Sequence, residues 1–148
     1  MPHTDADGLS QEHYAAIARF RFELRRFLAF SEQAAARHGL PPQQHQALLA
    51  IAGHVGEQAP TVGLVAEQLM IAPASAVELV SRMVAAGLLT KQPDPKDRRR
   101  SRLEITEAGF AVLKRLTQAH LRELQVLEPA LARALRRLAR SGKAEGKG

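Results

Sequence analysis

Residues 61–109 read TVGLVAEQLMIAPASAVELVSRMVAAGLLTKQPDPKDRRRSRLEITEAG, and this stretch decides the fold. Thr61 can cap a short helix in which Val62, Val65, Ala66 and Leu69 face a core. Met70-Ile71-Ala72 leaves room only for a brief turn. Pro73 suits the first turn of a second helix, where its missing N–H has no helical partner to lose. That helix runs to about Ala86, with Val77, Val80, Met83 and Val84 as its inward stripe and Ala74, Ser75, Glu78, Ser81 and Arg82 on other faces. Gly87 ends it as a C-cap. Residues 88–91 and 101–106 read as short strands, the second alternating Leu103 and Ile105 with Arg102 and Glu104. Between them, residues 92–100 hold two prolines and a charge run, which no central strand accommodates. A β-hairpin with a long cationic tip uses every residue.

Working outward, residues 10–38 read as a long helix. Ser10 stands at its cap, Glu12 in its first turn, and Ile17, Phe20, Leu24, Phe27 and Leu28 form one stripe. Gly39 stops it, and Leu40-Pro41-Pro42 is a connector. Residues 43–56 form an interior helix through Leu48, Leu49, Ile51, Ala52 and Val55, followed by a loop to Pro60. Beyond the hairpin, Thr106 and Glu107 open a helix that is apolar at Phe110, Leu113, Leu116, Leu121, Leu124 and Leu127. Pro129 breaks it or starts the next one, striped by Leu131, Leu135 and Leu138. The expected architecture is mainly α with a small β-hairpin wing. A winged helix-turn-helix (43–106) is flanked by N- and C-terminal helices (10–38 and 107–140), with 141–148 a flexible tail, all in one domain of 148 residues.

Composition narrows the function. Apolar residues make up 45% and charged residues 24%, an ordinary globular balance. The absence of cysteine excludes disulfides, thiolate metal sites and a thiol nucleophile. No apolar run approaches the roughly 20 residues of a membrane span, and residues 1–10 lack the charged and apolar regions of a signal peptide, so a soluble cytoplasmic protein is expected. The net charge of +6 is unevenly placed: residues 1–90 carry −2, 91–102 carry +4, 103–132 carry −1 and 133–148 carry +5. Arg133, Arg136, Arg137, Arg140, Lys143 and Lys147, near a glycine-containing end, read as a solvated tail. Lys91, Lys96, Arg98, Arg99, Arg100 and Arg102 have a different setting, directly after the second helix of the helix-turn-helix. Such a helix enters the major groove of DNA, and arginines on a following hairpin neutralise phosphates or enter the minor groove. One duplex could touch both.

Enzyme readings find no support. Ser75 and Ser81 have no adjacent base, no G-x-S-x-G is present, and no Gly-rich loop opens a helix after a strand. The histidines His3, His13, His38, His45, His54 and His120 show no compact ligand spacing, and neither a metal nor a cofactor is expected.

The stretch 61–109 resembles the winged helix-turn-helix of the MarR family of bacterial transcription regulators, most specifically at Gly87-Leu88-Leu89, Asp94-Pro95-Lys96-Asp97-Arg98-Arg99 and Ile105-Thr106-Glu107-Ala108-Gly109. The helix pattern extends the resemblance over roughly residues 10–140. It implies a homodimer joined by the terminal helices, binding double-stranded DNA and, as a repressor, releasing it when a small aromatic effector binds. Residues 73–86 would be the recognition helix, with Ala74, Ser75, Glu78, Ser81 and Arg82 towards DNA. Thr61, Lys96 and the wing arginines Arg98, Arg99 and Arg100 would join them. Asp97 would orient an arginine, Arg82 or Arg99, rather than touch DNA. That recognition face is poor in residues that pair bidentately with bases, so phosphate and wing contacts would carry much of the affinity. Phe20, Arg21, Phe27 and His45 would contact the effector, with His45 bordering a cavity and Arg21 or Arg25 meeting the carboxylate of a salicylate-like acid. For Phe20, Phe27 and Phe110, core or dimer packing is the favoured reading over effector contact, since apolar stripes at helical spacing are usually buried. Three rivals predict different things. A metal-responsive regulator would release protons on metal titration and lose binding in His45→Ala. A helical protein-interaction module would bind no DNA fragment, and an architectural binder would not distinguish operator from random duplex.

Overall fold

A computed structural model describes residues 8–143, and the side chains of 8–140. The elements are α1 (Gln11–Arg37), α2 (Pro42–Ala52), α3 (Val62–Leu69), α4 (Pro73–Ala85), β1 (Leu89–Pro93), β2 (Ser101–Ile105) and α5 (Glu107–Lys143). The chain divides into two compact units. One comes from both chain ends, with described residues 8–31 and 119–143, and the other is Glu32–Gln118. Among the described residues no single helix is long and apolar enough to cross a membrane.

The Glu32–Gln118 unit holds the helix-turn-helix and the wing. Its core gathers Ala47, Leu48 and Ile51 of α2, Val65 and Ala66 of α3, Ala76, Leu79, Val80 and Met83 of α4, and Leu89 and Leu103 of the hairpin. α2 stops at Ala52 rather than near residue 56. Gly53 takes the C-cap, and the following backbone turns so that the His54 ring bonds the Gln58 carbonyl at 3.0 Å, leaving Val55 in solvent. Thr61 caps α3 as expected, its hydroxyl accepting the Leu64 N–H at 3.2 Å. α3 and α4 are bent by 115° about the three-residue turn Met70-Ile71-Ala72, within the range of helix-turn-helix units. Met70 takes a left-handed backbone (φ 53°), which lets its N–H and that of Ile71 close the helix end on Glu67 and Ala66.

At the end of α4, Gly87 (φ 77°) turns the chain so that Leu88 N–H reaches back to the Met83 carbonyl at 3.0 Å. β1 and β2 pair antiparallel with Leu89 opposite Ile105, Lys91 opposite Leu103 and Pro93 opposite Ser101. Thr61 bridges to Arg102, and the Pro60 carbonyl accepts the Leu103 N–H at 2.9 Å, which ties the wing to the start of α3. Gly109 is required where α5 leaves the hairpin, since a Cβ there would run into the Leu88 carbonyl and the Ile105 side chain.

In the other unit, Ser10 precedes α1 and its side chain bonds the His13 ring at 2.8 Å. The expected stripe on α1 divides: Phe20 and Phe27 are half-buried, but Ile17, Leu24 and Leu28 are exposed together with Tyr14. His120 of α5 is buried, meets the rings of Phe27 and Phe30 edge-on, and bonds the Ser31 hydroxyl at 2.7 Å. Glu23 is fully buried, with Arg19 at 2.9 Å and Arg26 at 3.5 Å. The expected break at Pro129 is absent: α5 is one helix through that residue. Of the expected tail, residues 144–148 lie outside the described residues, as does His3.

Candidate nucleic-acid interface

α4 buries Ala76, Leu79, Val80 and Met83, a spacing of three, one and three that fixes the helix's rotation. Ala74, Ser75, Val77, Glu78, Ser81 and Arg82 are thereby exposed. Val77 and Val84, expected inside, lie outside. Arg82 and Glu78 face each other at 4.0 Å, both largely in solvent, so their attraction is weak and water-screened. The N-cap, Ala72, brings no side-chain acceptor, and the first-turn N–H groups stay available to an anion.

The wing tip is a folded loop. Asp94 Oδ1 accepts the Lys96 N–H at 2.9 Å, and Asp97 Oδ1 accepts the Arg99 N–H at 3.0 Å. Asp94 N–H donates to the Arg100 carbonyl, and Arg100 N–H to that of Asp97, both at 3.0 Å. Arg100 is drawn back, its Nη1 donating to Gln58 Oε1 at 3.1 Å and its Nε lying 4.0 Å from Asp97 Oδ2. The guanidinium beside Asp97 is therefore that of Arg100, neither of the two expected, because the turn 97–100 folds Arg100 over the carboxylate and presents only the backbone of Arg99 to it. Among the described residues Lys96, Arg98 and Arg99 make no ion pair.

Charge divides across the wing. On one side, Glu57, Asp94 and Asp97 balance Lys96, Arg100 and Arg102 around a cleft of about 580 Å³. On the other, a cleft of about 590 Å³ sets Lys91 and Arg99 against the single acid Glu67, with Thr61, Val77 and Arg100, which the two clefts share, also on its walls. This second cleft also holds the N-terminal turn of α3, where Val62 and Gly63 carry N–H groups not used by the Thr61 cap. A phosphate chain entering there meets cations and amide donors, and the exposed face of α4 adjoins it through Val77. Of the residues expected to face DNA, Thr61, Arg99 and Arg100 share this cleft, Ala74, Ser75, Glu78, Ser81 and Arg82 share the open face of α4, and Lys96 and Arg98 are exposed at the tip. Lys91, Val77 and Gln58 were not among them. Lys91 stood in the basic cluster, and its place on β1 opposite Leu103 was the signal available.

The expected effector residues fall in both units. Phe20, Arg21 and Phe27 lie on the end-derived one. Phe27 packs on His120, and Arg21 and Arg25 are exposed. His45 lies in the Glu32–Gln118 unit with 1% of its surface exposed. Among the described residues no three of His, Asp and Glu come together as metal ligands.

Residues 38–100 match the model of the MarR family. No curated protein matches the chain significantly in sequence. In structure it is similar to AbsC, a MarR family transcriptional regulator from Streptomyces coelicolor (18% identity over 80% of each chain, TM-score 0.67). It is similar to a MarR family protein from Bacillus stearothermophilus (21%, over 83% of this chain and 89% of that one, TM-score 0.64). It is also similar to S. aureus MepR in a DNA complex (18%, over 73% and 77%, TM-score 0.60). With its α3–α4 bend, paired wing and the segment 38–100 that matches the MarR family model, the chain has a winged helix-turn-helix fold like that of these regulators.

Proposed function

We propose that this protein is a homodimeric, sequence-selective DNA-binding transcription regulator. The carrying observation is the cleft in which Lys91 and Arg99 outnumber Glu67 beside the open face of α4. A cationic groove next to an exposed helix suits a duplex, whose phosphates run on either side of the groove a helix enters. The likeness to MepR, solved with DNA, supports the same reading. The dimer is supported by apolar surface on the long helices. Tyr14, Ile17, Leu24 and Leu28 of α1 are exposed at helical spacing, as are Leu121, Leu124 and Leu135 of α5. A two-fold partner removes such surface from water and sets two recognition helices on one duplex.

In this reading the bound dimer represses, and a small effector relieves it by favouring a spacing of recognition helices that does not fit the duplex. Phe20 and Arg21 of the end-derived unit are its proposed contacts, whereas the edge-on packing of Phe27 against His120 favours a packing role for Phe27. The test is selection of genomic fragments by the purified protein, followed by a salt series on a recovered fragment. We expect a steep log–log decline of affinity with salt, and for Arg99→Ala a weaker affinity with a slope reduced by about one. Failure to retain any fragment at low salt would favour the protein-interaction module, and equal affinity for random duplex the architectural binder.

A further inference from the structure

The exposed face of α4 contains two apolar residues near its start. Ala74 is exposed, and Val77 keeps 47% of its surface in solvent although Leu79, Val80 and Met83 around it are buried. Arg82 apart, the polar residues on the same face discriminate poorly. Serine hydroxyls, here Ser75 and Ser81, serve either a donor or an acceptor edge. Glu78 and Arg82 stand 4.0 Å apart in solvent, and Arg82 is the one residue of the face able to pair bidentately with guanine. The face offers no asparagine, glutamine or lysine, the side chains that with arginine make directional pairs with purines. Val77 is also the α4 residue on the wall of the cleft with Lys91, Arg99 and Arg100, which places an apolar side chain beside the cations that would hold a phosphate chain. In the major groove one base feature is apolar, the C5-methyl of thymine.

We propose that α4 selects its site by packing the methyl surfaces of Ala74 and Val77 against thymine methyl groups, so that thymine-bearing steps beneath its first two turns set specificity. The inference rests on the DNA-binding reading above and adds what the helix reads. Phosphate contacts from the wing supply affinity, and the methyl contacts distinguish sites.

Replacing thymine by deoxyuridine removes only that methyl group and leaves both groove hydrogen-bonding patterns and the protein intact. A duplex selected from a random library by the full chain is remade with single thymine-to-uracil replacements, and each is titrated by fluorescence anisotropy against wild type and Val77→Ser. Wild type should lose about fourfold in affinity at one or two positions per half-site, the worth of a methyl-sized group returned to water. For Val77→Ser, the ratio at one of those positions should fall towards one. Equal binding of thymine and uracil duplexes at every position would overturn the proposal and leave DNA binding standing. A uracil penalty unchanged in Val77→Ser would overturn the role of Val77. If no duplex is selected even at low salt, the DNA-binding reading fails and this one with it.

Discussion

Single residues carry consequences that their neighbours do not share. Met70 holds a left-handed backbone with 92% of its surface exposed, so glycine there loses almost no packing and removes a steric cost. Met70→Gly should raise stability by about 0.5–1 kcal/mol, after allowing for glycine's freer unfolded chain, as read by urea denaturation. A lower midpoint would show that Met70 packs. Gly109→Ala should act oppositely. The new methyl meets the Leu88 carbonyl, and the cost should be about 1–3 kcal/mol. The sequence marked both positions only by their place in a turn or motif. Val77 shows where periodicity fails. Apolar residues at 77, 80 and 84 form one possible stripe of α4, and those at 76, 79, 80 and 83 form another. Their hydrophobicity is similar, and only the packed neighbours choose the second. The partner of Asp97 was equally illegible, since it depends on how the turn 97–100 folds back on itself.

At the scale of elements, local chemistry was easier to read. Thr61, Pro73, Gly39 and Gly87 mark helix ends through capping and left-handed turns, and the structure has ends at each of them. Pro129 misled because local chemistry and packing disagree there. Proline removes one N–H and crowds the preceding turn, yet Leu127 and Ala134 on either side are buried, and that burial continues α5 through it. Pro129→Ala should therefore restore a backbone hydrogen bond without moving the helix. We expect a gain of about 1–3 kcal/mol in denaturant unfolding with an unchanged circular dichroism spectrum. A loss of stability would mean that the fold uses a bend at Pro129.

For the whole molecule, the pattern of exposed apolar residues is the informative feature. The sequence stripes on α1 and α5 were legible as apolar faces, but a stripe does not say whether its cover comes from the same chain. The structure leaves Ile17, Leu24 and Leu28 in solvent and half-buries Phe20 and Phe27. A second copy over those residues predicts that Ile17→Glu with Leu28→Glu converts a dimer to a monomer in sedimentation velocity, with the helical spectrum retained. A monomeric wild type would contradict it. In the proposed dimer the two-fold would also set the geometry on DNA. Hydroxyl-radical footprinting of a selected duplex is the most direct measurement. It should show two symmetric protected patches centred about 10–10.5 base pairs apart, with flanking protections lost in Arg98→Ala, Arg99→Ala. A single asymmetric patch, or cleavage unchanged by the protein, would contradict the account.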